Sequence, residues 1–80
     1  MIETTIKLNT PKDVTEFVKL ASKCSGEVYV CGRRYIVNGK SLPGIFSLDL
    51  SEKLRVEFHG NVPSEVKESM KNYIVSEVVN

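Results

Sequence analysis

The stretch Asn38-Gly39-Lys40-Ser41-Leu42-Pro43-Gly44-Ile45-Phe46-Ser47-Leu48 organises the reading of this 80-residue chain. A β-branched run ends at Asn38-Gly39, a pair that favours turns because both residues tolerate positive φ. Ser41 stands where a helix N-cap should stand, its hydroxyl available to orphan backbone N–H groups. Pro43 falls in the first turn, where a missing N–H costs nothing. Leu42, Ile45, Phe46 and Leu48 are too many apolar residues for so short a helix to bury. Ile45 and Leu48 are assigned to the core, and Leu42, Pro43 and Phe46 to an exposed patch that suits a protein partner. The competing placement for Phe46 is beneath the last helix.

Outward from this segment, the chain divides into short elements. Glu3 to Leu8 is rich in threonine and isoleucine and reads as a first strand. Thr10 is placed to cap a helix with Pro11 at its first position and Asp13 at the positive end of its dipole. Val14, Phe17, Val18 and Ala21 give that helix one apolar stripe, and Ser25-Gly26 ends it. Glu27 to Cys31 and Arg34 to Asn38 form a hairpin around Gly32-Arg33. After the Ser41 helix and a polar loop, Leu54-Arg55-Val56-Glu57-Phe58 alternates strictly, with one face buried and one wet. Gly60 to Pro63 breaks that strand. A last helix is predicted, with Val66, Met70, Tyr73, Ile74 and Val78 on its apolar stripe.

The order is β-α-β-β-α-β-α. It predicts an α+β domain over residues 1–80, in which a four-stranded, mainly antiparallel sheet has three helices on one face and the other face open. At this length one modest core is expected. The formal net charge of +1 argues against a broad footprint for nucleic acid. Tyr29, Tyr35 and Tyr73, interleaved with Arg33, Arg34 and Arg55, would be the stacking platform such binding needs, but residues of these kinds are common on an open sheet face.

No apolar run reaches bilayer length, and Met1-Ile2-Glu3-Thr4-Thr5 lacks the basic region and apolar core of a signal peptide. A cytoplasmic protein is expected. Cys24 and Cys31 fit neither a zinc pair nor a redox CxxC spacing and read as small buried side chains. No catalytic constellation, metal site or cofactor motif is visible, so a non-enzymatic protein is expected.

Lys40-Ser41, followed after a short interval by Ile45-Phe46-Ser47-Leu48, resembles the regulatory-serine segment of HPr, the small phosphocarrier family of the bacterial sugar phosphotransferase system. Ala21-Ser22-Lys23, the hairpin into Asn38, and the strand ending at Gly60 extend the likeness. The resemblance implies the HPr open-faced β-sandwich. It also implies a serine that opens a short helix and is phosphorylated by a dedicated kinase, which puts Ser41 in that role with Lys40 beside it.

In a working carrier, a longer loop before the first helix bears a histidine, an arginine and a proline. There imidazole takes the phosphoryl group, while helix N–H groups and guanidinium hold its oxygens. Here only Asn9-Thr10-Pro11-Lys12 stands in that place, without histidine.

The resulting expectation is a regulatory, protein-binding relative of HPr without phosphohistidine transfer. Its partners would be proteins of the phosphotransferase system or a transcriptional regulator, and HPr kinase would act on Ser41. Lys40, Leu42, Pro43 and Phe46 would form its binding surface. Two alternatives stand beside it: a carrier that uses a non-standard acceptor such as His59, the only histidine, or a structural module in which Ser41 is a cap alone.

Overall fold

Alternation in the two strongest strand candidates sets the architecture. A computed structural model describes the backbone of residues 1–79 and the side chains of residues 1–75. The elements are β1 (Ile2–Ile6), α1 (Pro11–Ser22), β2 (Val28–Cys31), β3 (Ile36–Asn38), α2 (Leu42–Phe46), β4 (Leu54–Phe58), α3 (Ser64–Met70) and β5 (Ile74–Val79). They build one sheet in the order β3-β2-β4-β1-β5, with every neighbouring pair antiparallel. The sheet therefore has five strands, not the expected four.

The fifth strand replaces the C-terminal part of the predicted last helix, from Ile74 onward. Residues Val66 and Met70 are buried on α3 as their spacing required. That helix stops at Met70, and the Tyr73 N–H closes a tight turn on the Met70 carbonyl (2.9 Å). Ile74–Val79 then runs along the outer edge of β1, from Ile6↔Ile74 to Ile2↔Val79. Two forces favour the strand: a segment dominated by isoleucine and valine, stiff at χ1 and suited to a pleated surface, and an edge of β1 that would otherwise expose unpaired N–H and C=O groups. Tyr73 and Ile74 are half-buried against the core. The side chain of Val78 lies outside the described residues.

On the covered side, Ile6, Val28, Val30, Leu54, Val56 and Phe58 of the sheet meet Val14, Phe17, Leu20 and Ala21 of α1, together with Ile45, Val66 and Met70. Arg55, Glu57 and Tyr29 alternate with these residues and face the open side. The β2–β3 connection is longer than predicted. It spans Gly32 to Tyr35, with the Gly32 N–H donating to the Tyr35 carbonyl (3.0 Å), and shortens β3 to three residues.

Candidate docking face around the second helix

The entry into α2 is built by side chain and backbone together. Asn38 accepts from the Lys40 N–H through Oδ1 (2.8 Å) and from the Ser41 N–H through its carbonyl (3.0 Å). Gly39 is not there for positive φ, which no described residue adopts. Its amide reaches the Val28 carbonyl at 2.6 Å, and a Cβ on it would meet Val28 Cγ1 at 2.6 Å. Close approach to β2, not turn conformation, demands the glycine. Ser41 then caps α2 as predicted, its Oγ accepting from the Gly44 N–H (3.1 Å). At the far end, the Tyr35 hydroxyl donates to the Ser47 carbonyl (2.5 Å) and ties the hairpin turn to the helix.

One face of α2 is spent on the core: Ile45 is fully buried and Leu48 nearly so. The other is not. Leu42 is 38% exposed and Phe46 45% exposed, and Pro43 between them also faces solvent. Phe46 does not lie beneath the last helix. It borders a shallow depression of about 260 Å³ shared with Lys7, Asn9, Thr10, Pro11 and Leu50. Phe46 thus places one end of the patch beside the largely polar β1–α1 connection.

That connection, residues 7–10, is held by its own polar groups. Thr10 Oγ1 caps α1 by accepting from the Asp13 N–H (3.1 Å), and Asp13 in turn accepts from the N–H of Asn9, the residue before the cap (2.9 Å). Lys7 donates to the Leu50 carbonyl (2.9 Å) and to Asn9 (3.2 Å). Lys12 is exposed.

The structure separates the remaining sequence candidates from this face. Lys40 is half-buried, and its ammonium donates to the Cys24 carbonyl (2.8 Å), where it serves the C-terminal end of α1. His59 follows β4 on the open side of the sheet. Its Nε2 lies 3.0 Å from Glu57, and its ring meets Tyr29 edge to face at 5.1 Å. Arg55 stands between Glu57 (2.6 Å) and Glu3 (3.1 Å). The hydrogen bond from His59, together with the Arg55 charge, holds the Glu57 carboxyl below its ordinary pKa. This polar cluster is legible in the sequence only as the wet face of an alternating strand; its Arg55–Glu3 pair depends on β1 lying beside β4.

Cys24 and Cys31 are free and buried, and burial pushes both thiols above their ordinary pKa. The three tyrosines form no common platform. Tyr29 is on the open face, Tyr35 is in the hairpin turn, and Tyr73 precedes β5 against the core. Arg33 and Arg55 are both paired with acids. Among the described residues, no group of three or more metal-ligating side chains is placed to hold an ion, and no helix is long and apolar enough to cross a membrane.

Comparison with solved structures gives a clear relation. No family model matches the sequence, and no curated protein matches it. Among solved structures, the crystal structure of HPr-C-His from Thermoanaerobacter tengcongensis superposes with a TM-score of 0.73 at 28% identity, covering 90% of this chain and 89% of that one. The chain has an HPr-like fold and is related to HPr in structure and sequence.

Proposed function

We propose that this protein is a cytoplasmic, HPr-related regulator that works by binding another protein through the α2 face and is switched by phosphorylation of Ser41. The observation that carries the reading is the exposed Leu42-Pro43-Phe46 patch beside an N-capping serine on an HPr-like fold. A phosphate on Ser41 would meet the positive end of α2, so the modification changes the surface charge next to the apolar patch more than it changes the fold. Lys40 supports the face from beneath rather than by touching the partner, because its ammonium is held at Cys24. In this reading the protein is a switch and not an enzyme, and its partner is a protein of the phosphotransferase system or a transcriptional regulator.

The test is intact mass after separate incubation with HPr kinase plus ATP and with enzyme I plus phosphoenolpyruvate. The expected result is one added phosphate in the first reaction only, lost in Ser41→Ala. Phosphate in the second reaction that disappears in His59→Ala would overturn the reading in favour of a carrier. No phosphate in either would remove the switch and leave the docking face alone.

A further inference from the structure

The dipeptide Lys40-Ser41 joins two helix ends. Ser41 caps α2, while the Lys40 side chain reaches back to the turn that closes α1, where its ammonium donates to the Cys24 carbonyl (2.8 Å) in a part-buried contact. A cation there meets the negative end of the α1 dipole. Among the described residues Lys40 makes no ion pair, so a backbone carbonyl is the strongest partner its charge has.

The backbone on the Lys40 side is well fixed. Asn38 takes the Lys40 N–H on its Oδ1 (2.8 Å) and the Ser41 N–H on its carbonyl (3.0 Å), and the Gly39 N–H is held on the Val28 carbonyl (2.6 Å). What remains free to turn is the four-carbon stem of Lys40. The α1 end that it holds is tied by longer bonds. The Ser25 N–H reaches the Asn61 carbonyl at 3.4 Å, and the Asn61 N–H reaches Ser25 Oγ at 3.3 Å. The Cys24 N–H donates to the Ala21 carbonyl at 3.1 Å.

Building on the reading that Ser41 is phosphorylated, we propose that Lys40 carries the modification to the end of α1: the phosphate draws the ammonium off the Cys24 carbonyl and loosens residues 24–26. A phosphate adds a charge of about −1.5 to −2, one residue from Lys40, and an ammonium–phosphate pair is stronger than an ammonium–carbonyl bond. The turn then loses its cation and its tether to the α2 entry in one event, a local charge change with a readout elsewhere in the fold. The modification is thereby felt at Ser25 and Asn61, neither of which belongs to the Leu42-Pro43-Phe46 patch.

The test installs phosphoserine at position 41 of the full chain during synthesis, through a recoded stop codon. NMR then reads amide hydrogen exchange and the carbonyl carbon shift of Cys24. Phosphoserine should speed exchange at Cys24, Ser25 and Asn61 about two- to fivefold, the range for loss of one helix-terminal cation, and should move the Cys24 carbonyl resonance. Lys40→Met keeps most of the stem and removes the charge. It should produce the same two changes in the unmodified chain, and phosphoserine should then add nothing further. Unchanged exchange and carbonyl shift in the phosphoserine protein would overturn the proposal, and those readings need no substitution. So would a response to phosphoserine that persists undiminished in Lys40→Met. Because the phosphate is built in, these outcomes do not depend on a kinase: failure of HPr kinase to modify Ser41 counts against the proposed function and leaves this coupling standing.

Discussion

On the open face of the sheet, charged side chains satisfy one another: Arg55 sits between Glu3 and Glu57, and Glu57 also meets His59. Around α2, Leu42, Pro43 and Phe46 stand in water with no such compensation, although the same five-residue helix buries Ile45 completely. A face whose charges are already paired gains little from a partner, since exposed ion pairs are worth about 0.2–1 kcal/mol and are screened by salt. An exposed apolar cluster gains whatever area a partner covers. This difference is what favours α2 over the open face in the proposed function: the apolar surplus lies at α2, and the open face has the character of a solvated surface.

The sharpest test of this contrast lies within α2 itself. Ile45→Ala should cost about 2–5 kcal/mol, while Phe46→Ala, one position on, should cost about 1 kcal/mol or less and instead abolish partner capture. Urea denaturation of both variants decides it; equal losses would mean that Phe46 is a core residue and not a docking one.

Next in size is the rim where the open face ends. Gly26 and Gly60 touch backbone to backbone: a Cβ on Gly60 would meet the Cα and N of Gly26 at 2.5 Å. Gly60→Ala is therefore expected to lose about 1–3 kcal/mol. Thermal unfolding checks this, with a drop of about 4–8 °C per kcal/mol at this chain length. An unchanged midpoint would show that the two loops can separate without cost.

Removal of the α2 cap should be milder. Ser41→Ala is expected to cost about 1 kcal/mol, whereas Ser41→Asp retains a capping oxygen and adds the negative charge favoured at a helix N-terminus. If Ser41→Asp also destabilises as much as Ser41→Ala, the serine does more than cap.

The smallest effect belongs to the open face and depends on pH. Because the Glu57 carboxyl titrates below its ordinary value, its stabilising contribution is complete above the usual glutamate range, near pH ~4.3, and is lost as pH falls through the lowered value. Wild-type protein should accordingly lose more of its melting temperature on acidification below that range than Glu57→Gln does. Identical acid slopes would mean that the pairs on this face contribute nothing.

Much of this architecture was legible before any coordinates. The caps at Thr10 and Ser41 were readable because capping needs only one side chain and the N–H groups three residues on. The buried stripe of α1 and the two faces of β4 followed from periods of 3.6 and 2, which are local properties of helix and strand. The exposed apolar surplus of α2 was likewise visible as a count: four apolar residues on a helix too short to bury them. The position of Phe46 beside residues 7–10 was not visible, because it depends on how α2 and the β1–α1 connection pack in space.

What the amino-acid order determined on its own was therefore the local repertoire: one helix after β1, a hairpin, a capped short helix, an alternating strand and an apolar serine-bearing segment. What only the tertiary structure decided were the places where distant groups meet. Gly39 is required by the approach of β2, Lys40 is claimed by the end of α1, and Arg55 finds Glu3 across the sheet. The clearest case is Ile74–Val79, whose apolar positions also suit a helical stripe. The free edge of β1 made it a strand, because a row of unsatisfied backbone groups, formed some seventy residues earlier in the chain, outweighs a local pattern that fits either state.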